Sequence, residues 1–201
     1  FTTDTGETIR IPPTLLISGF GIVGDISRCV TMDAKSAGNM LVLVGDTTDA
    51  VGGSHLVRIA PDSPGSRELP VTDLQAGPAT AKAVALAIAG GIVRSAHDPS
   101  EGGALLAAAE MAFAGEIGLM IDAEAMRGDH ESLAVACFAE TPSRYLLEID
   151  PSDIPALEKT LGGIRYSVIG RFQSEPRVTM GDVLNSSLDE LCASWQSGLT
   201  I

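Results

Sequence analysis

The chain has 201 residues, of which 45% are hydrophobic and only 4% aromatic, so its core must be built from small and aliphatic side chains. The formal net charge is −13 and no basic run occurs, which argues against non-specific binding to nucleic acid. Three widely separated cysteines favour neither a disulfide framework nor a zinc site, and we expect a cytoplasmic protein. The longest apolar run, 83–93, is too short to span a membrane, so we expect no membrane association.

The first 36 residues differ in pattern from the rest. Thr14–Val23 predicts a strand, Asp25–Cys29 a short turn or helix, and Val30–Met32 a further short strand. The chain opens on Phe1 and a polar segment, from which we expect an excised fragment of a longer protein. The unpaired apolar strand would then pack on the next domain, pair with another molecule or stay mobile. We expect self-association through it, because an exposed strand edge invites pairing.

Strand and helix patterns alternate from residue 37 to about residue 178. Apolar runs predict strands at Met40–Gly45, Ile92–His97, Gly118–Asp122, Tyr145–Ile149 and Tyr166–Phe172. Helices are predicted at Ala79–Ala89, Glu101–Phe113 and Ile154–Leu161, whereas Ala123–Val135 fits a helix or a loop. This order predicts an α+β fold with a mixed β-sheet covered by helices. Residues 179–201 predict a C-terminal helix and tail, with Ser187 as N-cap and Glu190 three residues later.

The most polar turn of the chain joins a predicted strand to a predicted helix. Its functional groups and glycines are His97, Asp98, Ser100, Glu101, Gly102 and Gly103. Free backbone N–H groups at the start of a helix favour an anion, so the turn is a candidate phosphate site. An ordinary helix start explains the same residues, with Ser100 or Asp98 as the N-cap.

A second glycine pair follows the strand predicted at Met40–Gly45. Gly52 and Gly53 precede Ser54 and His55, so backbone N–H groups again stand beside a hydroxyl and an imidazole. A loop-to-helix turn capped by Ser54 is the alternative. Because both glycine pairs follow strands, we expect the two turns to meet at one edge of the sheet and face a common cleft.

Three motifs occur in the order and at the spacing of one known family. They are Gly45–Ser54, Ala96–Gly103 and Phe138–Tyr145, with matching flanks at Ile11–Thr14, Val30–Asp33 and Ser187–Trp195. Together they resemble the phosphoribosylformylglycinamidine synthase family. More broadly, they resemble the C-terminal domain shared with aminoimidazole ribonucleotide synthetase and selenophosphate synthetase. The resemblance covers essentially the whole chain.

The resemblance implies part of an ATP-dependent amidoligase of purine biosynthesis. In that family, ATP and Mg²⁺ serve to activate formylglycinamide ribonucleotide, and ammonia from a glutaminase domain or subunit displaces the phosphate. The family enzyme is internally duplicated, so 1–36 would end a nucleotide-binding domain and 37–178 would be its partner domain. Its principal catalytic histidine lies outside this chain. The alternatives are a non-catalytic scaffold that packs against its duplicate and docks the glutaminase, or a domain of another member such as selenophosphate synthetase.

The resemblance also assigns residues to the site. It implies Asp98 as a magnesium ligand, and contacts of the His97, Ser100, Gly102, Gly103 and Glu140 positions with substrate or phosphate. The second glycine turn and the few basic side chains add Gly53, Ser54, His55 and Arg144 as further candidate substrate or phosphate contacts. The family's Glu-Ser-Gln stretch falls at Glu140–Pro142, where Pro142 supplies neither an amide side chain nor an N–H group. This departure leaves open whether this copy of the site binds substrate or is structural.

Overall fold

The computed structural model describes residues 1–10 and 15–198. Within them, the strands are β1 (Met40–Val44), β2 (Val93–His97), β3 (Gly118–Ile121), β4 (Tyr145–Ile149), β5 (Tyr166–Gln173), β6 (Arg177–Met180) and β7 (Leu184–Ser187). The helices are α1 (His55–Ile59), α2 (Ala76–Ala89), α3 (Gly103–Ala114), α4 (Ala123–Arg127), α5 (Leu133–Phe138), α6 (Ile154–Leu161) and α7 (Leu188–Ser197). Short 3-10 helices lie at Ile26–Arg28 and Pro151–Asp153.

The strands form a single mixed sheet in the order β2-β4-β1-β5-β3-β6-β7. β3 and β6 run parallel, and the other neighbouring strands run antiparallel. Helices cover both faces of the sheet, so the expected α+β class with a mixed, helix-covered sheet is confirmed. No helix in the described ranges has the length and apolar character needed to cross a bilayer.

Strand β1 is an inner strand of the sheet, between β4 and β5, and is buried on both faces. Leu41 and Leu43 join the core beneath α3, while Val42 and Val44 join the core beneath α2 and α6. This two-sided burial explains why the strand is a continuous apolar run rather than an alternating one. The alanine-rich α3 is itself buried over much of its surface, which is consistent with its small side chains.

The register of β4 decides which loops meet. Both β1 and β2 run antiparallel to β4, with Val44 opposite Tyr145 and His97 opposite Leu146. The ends of β1 and β2 and the start of β4 therefore share one edge of the sheet. The three loops that carry the sequence motifs emerge there together.

A buried carboxylate fixes the segment that enters the domain. Glu148 on β4 is fully buried and accepts hydrogen bonds from the backbone N–H groups of Lys35 and Ser36, at 2.8 and 2.9 Å. The Asn39 amide and the Ser95 hydroxyl also donate to it, each at 2.7 Å. Glu148 thereby ties the entry segment to β2 and β4.

The N-terminal segment differs from its prediction. Residues 15–23 form no strand, and Phe20 and Ile22 are fully exposed, at 102% and 101%. A strand needs a ladder partner for its N–H and C=O groups, and the described residues supply none here. Val30–Met32 is not a strand either, although the Thr31 carbonyl accepts a hydrogen bond from the Ala96 N–H. Ile11–Thr14, including the first residue of the predicted strand, lies outside the described residues.

The remaining differences are local. The segment 123–135 contains α4 and the start of α5, and the β6–β7 hairpin was not predicted. The predicted C-terminal helix is confirmed. The Ser187 hydroxyl accepts a hydrogen bond from the Glu190 N–H at 3.2 Å, and the Glu190 carboxylate accepts one from the Ser187 N–H at 2.9 Å.

Candidate functional site

The two glycine turns meet on the carboxylate of Glu140. Its Oε1 accepts hydrogen bonds of 2.9 Å from the backbone N–H groups of both His55 and Gly102. The Nδ1 atom of the His55 ring lies 3.2 Å from the same oxygen. The predicted convergence of the two turns at one sheet edge is therefore confirmed, and Glu140 is the group that joins them.

The surroundings of Glu140 favour its ionised form. Partial burial opposes ionisation, but the hydrogen bonds from Gly102 and His55, together with the imidazole, outweigh it and lower the pKa of the carboxyl group below its ordinary value of 4.5. The N–H groups proposed for an external anion thus hold a negative group of the protein itself. A ligand phosphate would have to displace Glu140 from them or bind beside it.

The start of α3 differs from the predicted capped helix. Neither Ser100 nor Asp98 is the N-cap; that position is Gly102, which has φ +82° and supplies no side-chain cap. At Gly103, a Cβ would lie 2.7 and 2.8 Å from the carbonyl oxygens of Cys137 and Ala139. The second glycine is therefore required by the close approach of the protein's own backbone.

Polar groups of the turn at Gly52 and Gly53 also bond within the protein. The Ser54 hydroxyl is buried and donates a 2.6 Å hydrogen bond to the Val51 carbonyl, so Ser54 precedes α1 without capping it through its side chain. Gly53 is exposed beside it, in a left-handed conformation. The His55 side chain remains 40% exposed while contacting Glu140.

Arg144 is almost completely buried and bonds to the turn that carries Glu140. Its guanidinium donates to the carbonyls of Ala139 and Thr141, on either side of Glu140, and to the Thr47 hydroxyl. Burial lowers the pKa of Arg144 to about 10. In this structure the side chain serves the protein's own backbone, and its contact with a ligand stays a prediction.

His97 ends β2, and Asp98 opens the turn that leads from β2 to α3. The Nε2 atom of His97 is 3.0 Å from Oε2 of Glu110, and its Nδ1 is 3.5 Å from Oδ1 of Asp98. The Asp98 carboxylate is 77% exposed. The sequence did not indicate that Glu110 or Trp195 belongs to this cluster, because they lie 13 and 98 residues beyond His97.

Two cavities flank the Glu140 bridge. One, of about 510 Å³, is largely apolar and is lined by His55, Leu56, Ile59, Gly102, Leu106 and Phe138. The other, of about 420 Å³, is polar and is lined by Asp98, Ser100, Glu101, Glu140, Ser143 and Tyr145. Both volumes suit small ligands, and the exposed Ser100 and Asp98 lie in the polar cavity.

Asp98 does not belong to a ready-made metal centre. Among the described residues, no group of three or more His, Cys, Asp or Glu side chains is arranged to hold a metal ion. Magnesium often takes only one or two protein carboxylates and completes its shell with water and phosphate oxygens. The role of Asp98 as a magnesium ligand therefore stays a prediction.

The fold places the chain among α+β domains in which a mixed sheet separates two helical layers. The model of the family AIR synthase related protein, C-terminal domain matches residues 36–183, so the chain belongs to that family.

Comparison with individual proteins and solved structures agrees with the family model. The chain is 32% identical over 200 residues to phosphoribosylformylglycinamidine synthase subunit PurL of Alkaliphilus metalliredigens, covering 96% of this chain and 26% of that protein. It thus spans about a quarter of the length of such relatives. Solved structures of Thermotoga maritima PurL complexed with FGAR and with ATP share the fold, with TM-scores of 0.69 and 0.65. Each is 20% identical and covers 83% of this chain, and the match covers 30% and 27% of the respective PurL chains.

Proposed function

We propose that the chain is part of an ATP-dependent amidoligase that converts formylglycinamide ribonucleotide to formylglycinamidine ribonucleotide with glutamine-derived ammonia. The observation that carries this proposal is the match to PurL along 96% of the chain, together with membership of the AIR synthase related family. Because the match covers only 26% of that relative, we expect the chain alone to be inactive. Phosphoryl transfer needs phosphate-binding groups, metal and base positioned together.

Within that enzyme, the polar cavity is the part of this chain best suited to meet a nucleotide. Asp98 would contribute one oxygen to magnesium, which neutralises phosphate charge when bound. Ser100 offers an exposed hydroxyl beside it. The N–H groups of Gly102 and His55 act indirectly, because they hold Glu140 in the cavity wall.

The second candidate is a non-catalytic scaffold, and a specific observation favours it. Glu140 already occupies the N–H groups of both glycine turns, and the cation of Arg144 is used internally. A domain of this kind would pack against its duplicated counterpart and dock the glutaminase domain or subunit. Residues 1–36 would complete the preceding nucleotide-binding domain.

A substitution at Asp98 distinguishes the two candidates. In the full-length protein that contains this chain, Asp98→Asn should weaken the binding of ATP measured with Mg²⁺ and should slow amidation of formylglycinamide ribonucleotide. The matched control is Asp62→Asn, at an exposed loop position. Binding is measured by calorimetry, and stability by thermal unfolding.

Three outcomes of this experiment distinguish the nucleotide-binding role, the scaffold and failure of the amidoligase proposal. Weaker Mg·ATP binding with an unchanged unfolding temperature supports the nucleotide role of this copy. Unchanged binding and turnover in Asp98→Asn support the scaffold. Absence of amidation in the unsubstituted full-length protein, with ammonia or glutamine supplied, would contradict the amidoligase proposal itself.

A further inference from the structure

The carboxylate of Glu110 connects the His97 turn to the C-terminal helix. Its Oε2 lies 3.0 Å from Nε2 of His97, and its Oε1 accepts a 2.9 Å hydrogen bond from the indole N–H of Trp195. The indole also packs on Phe113, with ring centroids 6.0 Å apart. Glu110 lies on α3, the helix that begins at the candidate site, so one side chain contacts both the turn and the tail.

With Glu110 ionised, the donor and acceptor inventory decides which atoms of this cluster donate and which accept. An indole N–H only donates, so Oε1 of Glu110 must accept from Trp195. An ionised carboxylate has no proton to give, so Oε2 requires a donor, and the group that faces it is Nε2 of His97. In a neutral imidazole with its proton on Nε2, Nδ1 is left as an acceptor.

We propose that Glu110 is a positioning residue for the candidate site: its Oε2 accepts the hydrogen bond of the His97 Nε2–H group and so turns Nδ1 of the ring toward Asp98. Trp195 donates to the other carboxylate oxygen, so Oε2 is the oxygen that faces the imidazole. The geometry carries the contact of Glu110 with His97 and Trp195, whereas the contact of His97 with a ligand rests on the proposed function.

The arrangement restricts which ligand groups can bind next to His97 and Asp98. Nδ1 of His97 and Oδ1 of Asp98 lie 3.5 Å apart without a hydrogen bond between them, and Asp98 is mostly exposed. When the imidazole is neutral, Nδ1 and the Asp98 carboxylate are both acceptors, and together they favour a ligand group that donates hydrogen bonds or carries positive charge, including a metal ion. The phosphate oxygens of a ligand would therefore contact groups other than Nδ1 of His97 and the Asp98 carboxylate, or would approach these two only through a cation.

The proton position is measured directly by nuclear magnetic resonance. The chain is labelled with ¹⁵N in histidine and tryptophan, and spectra are recorded above the ordinary titration range of imidazole. The chain has three histidines, so the His97 resonances are assigned by their loss in His97→Asn. We expect a protonated Nε2 with a directly observable, exchange-protected hydrogen, and an unprotonated Nδ1.

Two variants test the role of Glu110. Glu110→Gln keeps the shape but offers a single acceptor oxygen to two donors, so the protected His97 Nε2–H resonance should disappear or the ring should shift to the Nδ1–H form. Trp195→Phe removes the indole donor but keeps an aromatic ring against Phe113, and the Nε2–H form of His97 should persist. Glu158→Gln, on the exposed part of α6, is the matched control for loss of one negative charge.

Several results would overturn the proposal. They are an Nδ1–H form in the unsubstituted chain, unchanged His97 resonances in Glu110→Gln, or equal changes in Glu110→Gln and Glu158→Gln. Loss of the Nε2–H form in Trp195→Phe as strongly as in Glu110→Gln would also contradict it, since the tail rather than the carboxylate would then set the ring. These spectra need no nucleotide, so failure of the amidoligase proposal would leave their result intact.

Discussion

The Ser95 hydroxyl donates a 2.7 Å hydrogen bond to the carboxylate of Glu148, and both residues are completely buried. Glu148 accepts from four donors in all, none of which is a positively charged side chain. Its negative charge is therefore satisfied by neutral dipoles, which hold the entry segment against the sheet.

We expect Glu148→Gln to lower the free energy of unfolding by about 2–4 kcal/mol, because an amide cannot accept from donors on both sides and leaves buried N–H groups unpaired. Urea denaturation followed by circular dichroism measures the loss. Ser95→Ala should cost less, since it removes a single donor. A Glu148→Gln variant as stable as the unsubstituted chain would show that the carboxylate is not needed to hold the entry segment.

Glu140 predicts a dependence of stability on pH. Its pKa is lowered in the folded chain, so its hydrogen bonds stabilise the fold above the ordinary value of 4.5, and this stabilisation is lost as the pH falls through the lowered pKa. Glu140→Gln cannot titrate. The stability difference between the two proteins should be largest near neutral pH and should shrink in acid. A difference independent of pH would contradict the ionised bridge.

Gly103 and Gly163 form a matched pair for testing the close approach at the site. Both have positive φ, +72° and +97°, but a Cβ at Gly163 meets nothing within 4 Å, whereas at Gly103 it meets backbone carbonyls at 2.7 and 2.8 Å. Alanine at Gly163 should cost about 1–2 kcal/mol of stability from backbone strain alone. Alanine at Gly103 should cost about 1–3 kcal/mol more, because of overpacking. Equal losses in thermal or urea unfolding would rule out the packing explanation.

The exposed apolar side chains of residues 15–23 predict self-association of this chain. Phe20 and Ile22 project fully into solvent, and clustered apolar surface of this kind favours contacts between molecules. Replacing both with serine should shift sedimentation profiles toward the monomer. The control replaces Val71 and Leu74, which are also exposed but lie in another loop. A strictly monomeric unsubstituted chain would contradict this prediction.

The sequence predicted best those elements whose signal, an apolar run or a helix cap, lies within one continuous stretch of residues. Met40–Val44 is a continuous apolar run because it is covered on both faces, and Ser187 with Glu190 carries its own cap. The β6–β7 hairpin escaped prediction because strands such as Leu184–Ser187 are short and largely polar. The segment at 15–23 was predicted as a strand on its apolar character, but it lacks a described partner strand.

The sequence predicted that the two glycine turns would meet at one edge of the sheet, but it did not predict the hydrogen bonds that join them. The two glycine turns identified an edge of the sheet, since each follows a strand. Nothing local indicated that Glu140 would fill their N–H groups, because that depends on the register of β4. Likewise, the charge of Arg144 does not reveal that its guanidinium faces inward, and the pairing of Glu110 with Trp195 spans 85 residues.

The junction between β7 and α7 has no intervening residue, because the strand ends at Ser187 and the helix begins at Leu188. One inserted residue at that point would rotate the helix by about 100° and advance it by about 1.5 Å. Trp195 would then turn away from Glu110. Natural variation in chain length should therefore accumulate in the turn between β6 and β7, where an insertion changes a loop without rotating the helix.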